Sequence, residues 1–305
     1  MTETGKESSR AITARWTIVT MTVALTAGAL LYRVLLHQHL GQTAAMFLGI
    51  PAVLAILLAF TPEAKSLTGG ILKGITLFLL IIAPLLGEGY LCILIASPLF
   101  YAVGIVIGLI LDSRRNNRGA TLSCVALIAL PMCLEGVLPE LTFHRDQTVQ
   151  STRILNATPQ QIEAALSQSP NLDAPLPFFL RIGFPRPLAA YGGGLAIGAV
   201  RTVHFAGAEG DPPGDVVSRV TERGPGFARV ETISDTTKLT QWLRWQSSEV
   251  EWHAVDAQRT SVTWRVNFER ELDPAWYFVP WERVAVREAA GYLIEANASP
   301  QWKKP

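Results

Sequence analysis

The chain has 305 residues, room for two domains, with 49% hydrophobic residues, only 17% charged ones and a formal net charge of +1. Without a basic patch or an RNA-binding signature, that balance excludes a nucleic-acid partner. Cys92, Cys124 and Cys133 all lie in the first half. Disulfides therefore do not staple the second half, no Cys/His spacing matches a zinc site, and the three read as small buried apolar residues; neither metal nor cofactor is expected.

Charge is spread unevenly. The first 140 or so residues hold long uncharged apolar stretches while the rest is mixed, which is a membrane signal. After a cytoplasmic tail (1–15), five stretches, 16–36, 44–60, 67–86, 91–111 and 120–137, approach the ~20 residues that cross a bilayer as helices. Lys6, Arg10 and Arg15 precede the first, but its apolar run is too long for a cleaved leader and further spans follow, so it reads as an anchor. Lys65 and the group Arg114, Arg115 and Arg118 fall on alternate loops, and 37–43 and 87–90 carry no Lys or Arg. The positive-inside rule then places the N-terminus in the cytoplasm and, after five crossings, the C-terminal part outside it. In a bacterium that is the periplasmic face of the inner membrane.

Arg33 and Lys73 stand near span ends, where long side chains snorkel. Glu88 and Glu135 are expected near the outer surface, and two readings stay open. They reach interfacial water, or they line a polar mouth beneath the domain that follows. Pro51, Pro84, Pro98 and Pro131 read as kinks, since the spans lack the duplicated halves of a transporter.

A short linker, 139–146, holds the next domain (147–299) close to the membrane. Residues 147–155 read as a strand, after which Thr158 caps and Pro159 opens a helix, PQQIEAALSQS, with Ile162, Ala165 and Leu166 on one face. The Pro- and Gly-rich 169–194 predicts turns and one short helix; its glycine triplet, 192–194, opens no helix and lacks a lysine, so it is a flexible bend rather than a phosphate loop. From 195 onward the pattern is antiparallel β, with strands at 195–205, 215–222, 227–234, 242–255 and 261–270. The last, SVTWRVNFER, alternates strictly: Val262, Trp264, Val266 and Phe268 on one face, polar residues on the other. Strands joined by short turns cannot form a parallel sheet, so about six antiparallel strands are expected. Pro280 would break a helix interior, which sets the start of the terminal helix there, with Trp281, Val284, Ala285, Tyr292 and Leu293 available for burial. Residues 300–305 form a tail.

This order of elements resembles the START-like helix-grip (SRPBCC) superfamily, which includes polyketide cyclase/dehydrase and lipid-transfer domains. TRILNATPQQIEAAL looks like the family's opening strand and first helix; IGAVRTVHF, SVTWRVNFERELDPAWYF and the helix after Pro280 look like its second strand, last strand and grip helix. The resemblance covers 147–299, about half the chain. More loosely, LGEGYLCILIASPLFY and its flanking spans look like bacterial membrane proteins that carry this domain at their C-terminus. The fold class implied is α+β: a five-helix transmembrane bundle, then a curved antiparallel sheet wrapped around a long C-terminal helix. The resemblance also implies an apolar pocket between sheet and helix for lipids, sterols, polyketides or similar molecules. Its motifs specify fold better than chemistry.

The candidate pocket residues are Ile197, Ala199, Arg201, Val203 and Phe205 on one strand face, Trp252, Trp264 and Phe268 on two others, and Trp281 and Tyr292 on the helix. Six of the eight tryptophans fall between Trp242 and Trp281, either as core filling or as the wall of a hydrophobic-ligand site. Arg201 stands among apolar neighbours and needs a partner. That partner is an internal acid such as Glu231, or the carboxylate or phosphate of a ligand. His204 and His253 alternate onto the opposite face, and no acid/base pair can be placed. Three functions follow: a membrane-anchored binding module for a lipid or other hydrophobic small molecule, a cyclase- or aromatase-type enzyme, or a structural partner of another membrane protein with a filled pocket.

Overall fold

The computed structural model describes residues 50–61, 64–86, 90–114, 135, 140, 142–207 and 212–299, with positions 16, 19, 20, 22 and 23. The chain divides into two compact units, Met1–Ala129 and Leu130–Pro305.

In the first unit three helices are described, α1 (Ile50–Phe60), α2 (Leu67–Leu86) and α3 (Tyr90–Arg114). The α2–α3 hairpin is close because α3 presents glycine to its neighbour. A Cβ built at Gly108 would stand 2.6 Å from Thr68 Cα, and one at Gly104 would stand 2.4 Å from Ile75 Cδ1. This four-residue glycine spacing lets the two apolar helices approach closely. Asp112 then closes the end of the hairpin, accepting from the Leu67 and Thr68 amides and the Thr68 hydroxyl at 2.9, 3.1 and 2.6 Å. Among the described residues only Ile93–Asp112 is long and apolar enough to cross a membrane, and Leu67–Ile81 is a shorter apolar helix. The expected five-helix bundle is thus not supported. The second stretch shows an 11-residue helix, and the first and fifth fall almost wholly outside the described residues, as do Arg33 and Glu88.

The second unit is α+β. Its strands are β1 (Asp146–Leu155), β2 (Pro187–Gly192), β3 (Val200–Phe205), β4 (Gly214–Gly224), β5 (Phe227–Asp235), β6 (Leu243–Ala254) and β7 (Thr260–Arg270). They form one antiparallel sheet in the order β1-β7-β6-β5-β4-β3-β2. The alternation read from SVTWRVNFER is borne out along all of β7, which lies between β1 and β6. The strand count was one short. The missing strand is β2, PLAAYG, bounded by proline and glycine, which a sheet tolerates at an edge. The strand expected at 195–205 begins only at Val200, because Gly194 and Gly198 adopt positive φ and turn the chain.

Helix α4 (Pro159–Leu166) opens as expected: Thr158 Oγ1 accepts from the Gln161 amide, the Gln161 side chain accepts from the Thr158 amide, and Pro159 follows the cap. A four-residue turn, α5 (Phe178–Arg181), leads to β2. The terminal helix α6 (Ala275–Ala298) begins five residues before Pro280 and runs through it. A proline there removes one amide donor, and the burial of the following turns outweighs that loss. The core joins β1, β6 and β7 to a stripe of α6, Val286, Ala290, Ile294 and Ala298, each almost fully buried. At the N-terminal side, Arg270 is fully buried and its five N–H groups are all used: they donate to His144 O, Phe143 O, Leu272 O, Asp273 Oδ1 and Glu135 Oε1.

Candidate ligand pocket

A second stripe of α6 explains why the helix does not close down on the sheet. Ala285, Ala289, Tyr292 and Ala296 recur at helical spacing toward β3–β6, and three of the four are alanines. Their missing volume leaves a cavity of about 250 Å³, bounded by α6, the sheet, and the 170–187 segment with α5. An apolar cavity of ~150 Å³ is already large enough to take benzene. Walls come from Val203, Phe205, Val230, Trp245, Trp264 and Leu293, among others. Ser218, Thr232, Ser247, Ser248 and Asn297 add scattered polar groups, and among the described residues of the lining Arg201 alone carries a formal charge.

Arg201 reaches inward from β3 because strand alternation puts it on the same side as Val203 and Phe205. Its Nη1 donates to Asn297 Oδ1 at 2.7 Å, and its Nη2 donates to Leu166 O and Gln168 O at 3.0 and 3.1 Å. The two carbonyls lie at the C-terminal end of α4, where backbone dipoles favour a cation. Among the described residues no carboxylate pairs with it, and its Nε is buried without an acceptor. Glu231, the acid considered from the sequence, stands opposite Arg219 on β4 instead. Burial accordingly pushes the Arg201 pKa below its ordinary value. The second orphan in the lining, Trp264 Nε1, is also a donor. Tyr292 is buried, donates to Leu172 O at 3.4 Å, and has its phenol pushed up to about 12 by burial and then by Asp173. It keeps its proton and stays neutral.

Of the candidate residues, Ala199, Arg201, Val203, Phe205, Trp264 and Tyr292 meet at this cavity. The others do not. Ile197 is 68% exposed, in the turn before β3. Trp281 is 40% exposed, on an outward stripe with Val284 and Arg287, since the helix register is set from Ala275. Trp252 and Phe268 are buried in the core beside the cavity, Trp252 under the Arg223 guanidinium at 4.8 Å and Phe268 against Trp245. Glu135 faces no polar mouth: it is buried within the second unit, accepting from Arg270 Nη2 and the Ala275 amide, both at 3.1 Å. His204 pairs with Asp215 at 2.7 Å, and His253 and Tyr191 are exposed. Sequence reasoning missed the alanine stripe, whose signal is AVREAAGYLIEANA read every third or fourth residue, and Asn297, which has no signal apart from its partner.

No family model and no curated protein matches the chain. Among solved structures, norcoclaurine synthase from Thalictrum flavum in complex with dopamine and hydroxybenzaldehyde is 13% identical, over 52% of this chain and 90% of its own, with a TM-score of 0.29. A protein from Chromobacterium violaceum is 14% identical over 47% and 94%, with a TM-score of 0.30. Major latex-like protein 151 from Panax ginseng is 9% identical over 48% and 97%, with a TM-score of 0.29. At these values the function has to be argued from the cavity itself.

Proposed function

We propose that the chain is a membrane-anchored binding module that holds a lipid or other hydrophobic small molecule between the sheet and α6. One observation carries the reading: an apolar cavity kept open by alanines on the terminal helix, with tryptophans in its wall rather than in its space. Affinity comes from buried apolar area, at roughly 25 cal/mol per Å² before ordering costs. The anchor is the first unit, with the N-terminus cytoplasmic and the second unit periplasmic. Outward apolar side chains on its described helices, such as Leu57, Phe78, Leu94 and Leu109, support contact with lipid.

The test is organic extraction of the purified full chain followed by mass spectrometry. The expected result is one class of unchanged apolar compound at near-stoichiometric ratio, absent from an equally purified membrane protein without this domain. No enrichment overturns the reading, and turnover of an added polyketide-like compound would replace it with the cyclase. Protease treatment of spheroplasts tests sidedness: the second unit is degraded from outside if the topology holds.

A further inference from the structure

We infer that the pocket takes an amphiphile with a single negative charge, a carboxylate on an apolar body, seated at Arg201. This rests on the binding reading above and names the ligand class. The cation stands at an apolar cavity, held by one amide oxygen and two backbone carbonyls, with no counter-charge among the described residues. Three acceptors serve five N–H groups, and Nε has none. A partly buried charge left in this way is unfavourable until something pairs it. Among the described residues the lining holds one formal charge and it is positive, so a ligand group that reaches it must bring an acceptor. One negative charge balances the site, whereas a phosphomonoester dianion would leave a net negative charge in the same apolar space.

The experiment compares 8-bromooctanoate with 8-bromooctan-1-ol on the full chain in lipid nanodiscs. Bromine quenching of Trp245 and Trp264 is the readout, with empty nanodiscs correcting for partition. The wild type is expected to bind the acid about 10-fold or more tightly than the alcohol. Arg201→Met should bring the two within about 2-fold while alcohol binding is retained. Asn297→Asp gives Arg201 an internal counter-charge at the position where Asn297 Oδ1 already accepts from it, and should remove the preference without removing the arginine. Equal binding of acid and alcohol to the wild type overturns the inference and leaves the hydrophobic pocket standing. Failure of both ligands to quench overturns the pocket as well. A preference that survives both substitutions places the charge recognition elsewhere and also overturns it.

Discussion

The most unusual ionisable group in the second unit is Glu282, and it predicts how stability depends on pH. Its side chain sits about two turns into α6, 5% exposed, and neither carboxylate oxygen has a hydrogen-bond partner among the described residues. Burial pushes its pKa up from 4.5 to about 7; Arg270, the nearby Leu272 amide and Arg145 pull the other way, and Asp273 reinforces the rise. The folded protein therefore holds this proton more tightly than the unfolded chain does. Stability is greatest below the unfolded value, falls as pH rises toward 7, and levels off above it. The move from 4.5 to about 7 amounts to on the order of 3 kcal/mol, of which roughly 2.5 kcal/mol is lost between about pH 5 and about pH 8. Glu282→Gln keeps the shape and cannot ionise. Thermal unfolding of the full chain, followed by tryptophan fluorescence at several pH values, gives a Tm difference between variant and wild type. That difference should grow by about 5–10 °C in favour of the variant across the range, for a unit of this size. Other titrating groups act on both proteins and cancel. A constant difference at every pH would refute the argument, because Glu282 would then carry the same charge in both states.

Ala289→Phe, which fills the cavity from the alanine stripe, should lower bromooctanoate affinity by about 10-fold or more with Tm held or raised, read in the quenching assay and by thermal melt. Glu135→Ala leaves the guanidinium of Arg270 buried with one carboxylate fewer and should cost about 3–5 kcal/mol, seen as a fall in Tm of the full chain. Gly192→Ala places a Cβ 2.2 Å from Val200 O at φ +78° and should cost about 1–3 kcal/mol at the β2–β3 edge, read by the same melt. Thr158→Ala removes half of the capping box of α4 and should cost about 1 kcal/mol.

The fold of the second unit was largely legible because its signals are local. Thr158-Pro159 marks a helix start by its own side chains, and β7 declares both faces by alternation. The edge strand β2 was hidden because nothing in PLAAYG alternates; it is a strand only because β3 offers it hydrogen bonds. Pro280 misplaced the helix start, since a local rule about a missing amide competes with packing that sequence does not display. The site was half legible for the same reason. Ala199, Arg201, Val203 and Phe205 follow from one strand period, whereas Trp252 and Phe268 have that same inward orientation yet fill the core. Which inward residue meets a void depends on what stands opposite, and opposite the cavity stand Ala285, Ala289 and Ala296.

Two inward-facing arginines in one domain show why the second of them points to a ligand. Arg270 and Arg201 both come from strands and both face inward, Arg270 fully buried and Arg201 partly so. At Arg270 the fold meets the guanidinium completely: Glu135 and Asp273 supply the charge, three carbonyls supply the remaining acceptors, and no donor is left over. The chemistry of that site is closed. At Arg201 the fold supplies only Asn297 and the end of α4, leaves Nε unmet, and places the group in the wall of an apolar cavity. Asn297 differs from aspartate by one atom, so a chain needing only an internal pair could have had one at that position. An amide there keeps the guanidinium oriented while leaving its charge unspent. Orientation without neutralisation suits a group meant to meet an anion that arrives from outside.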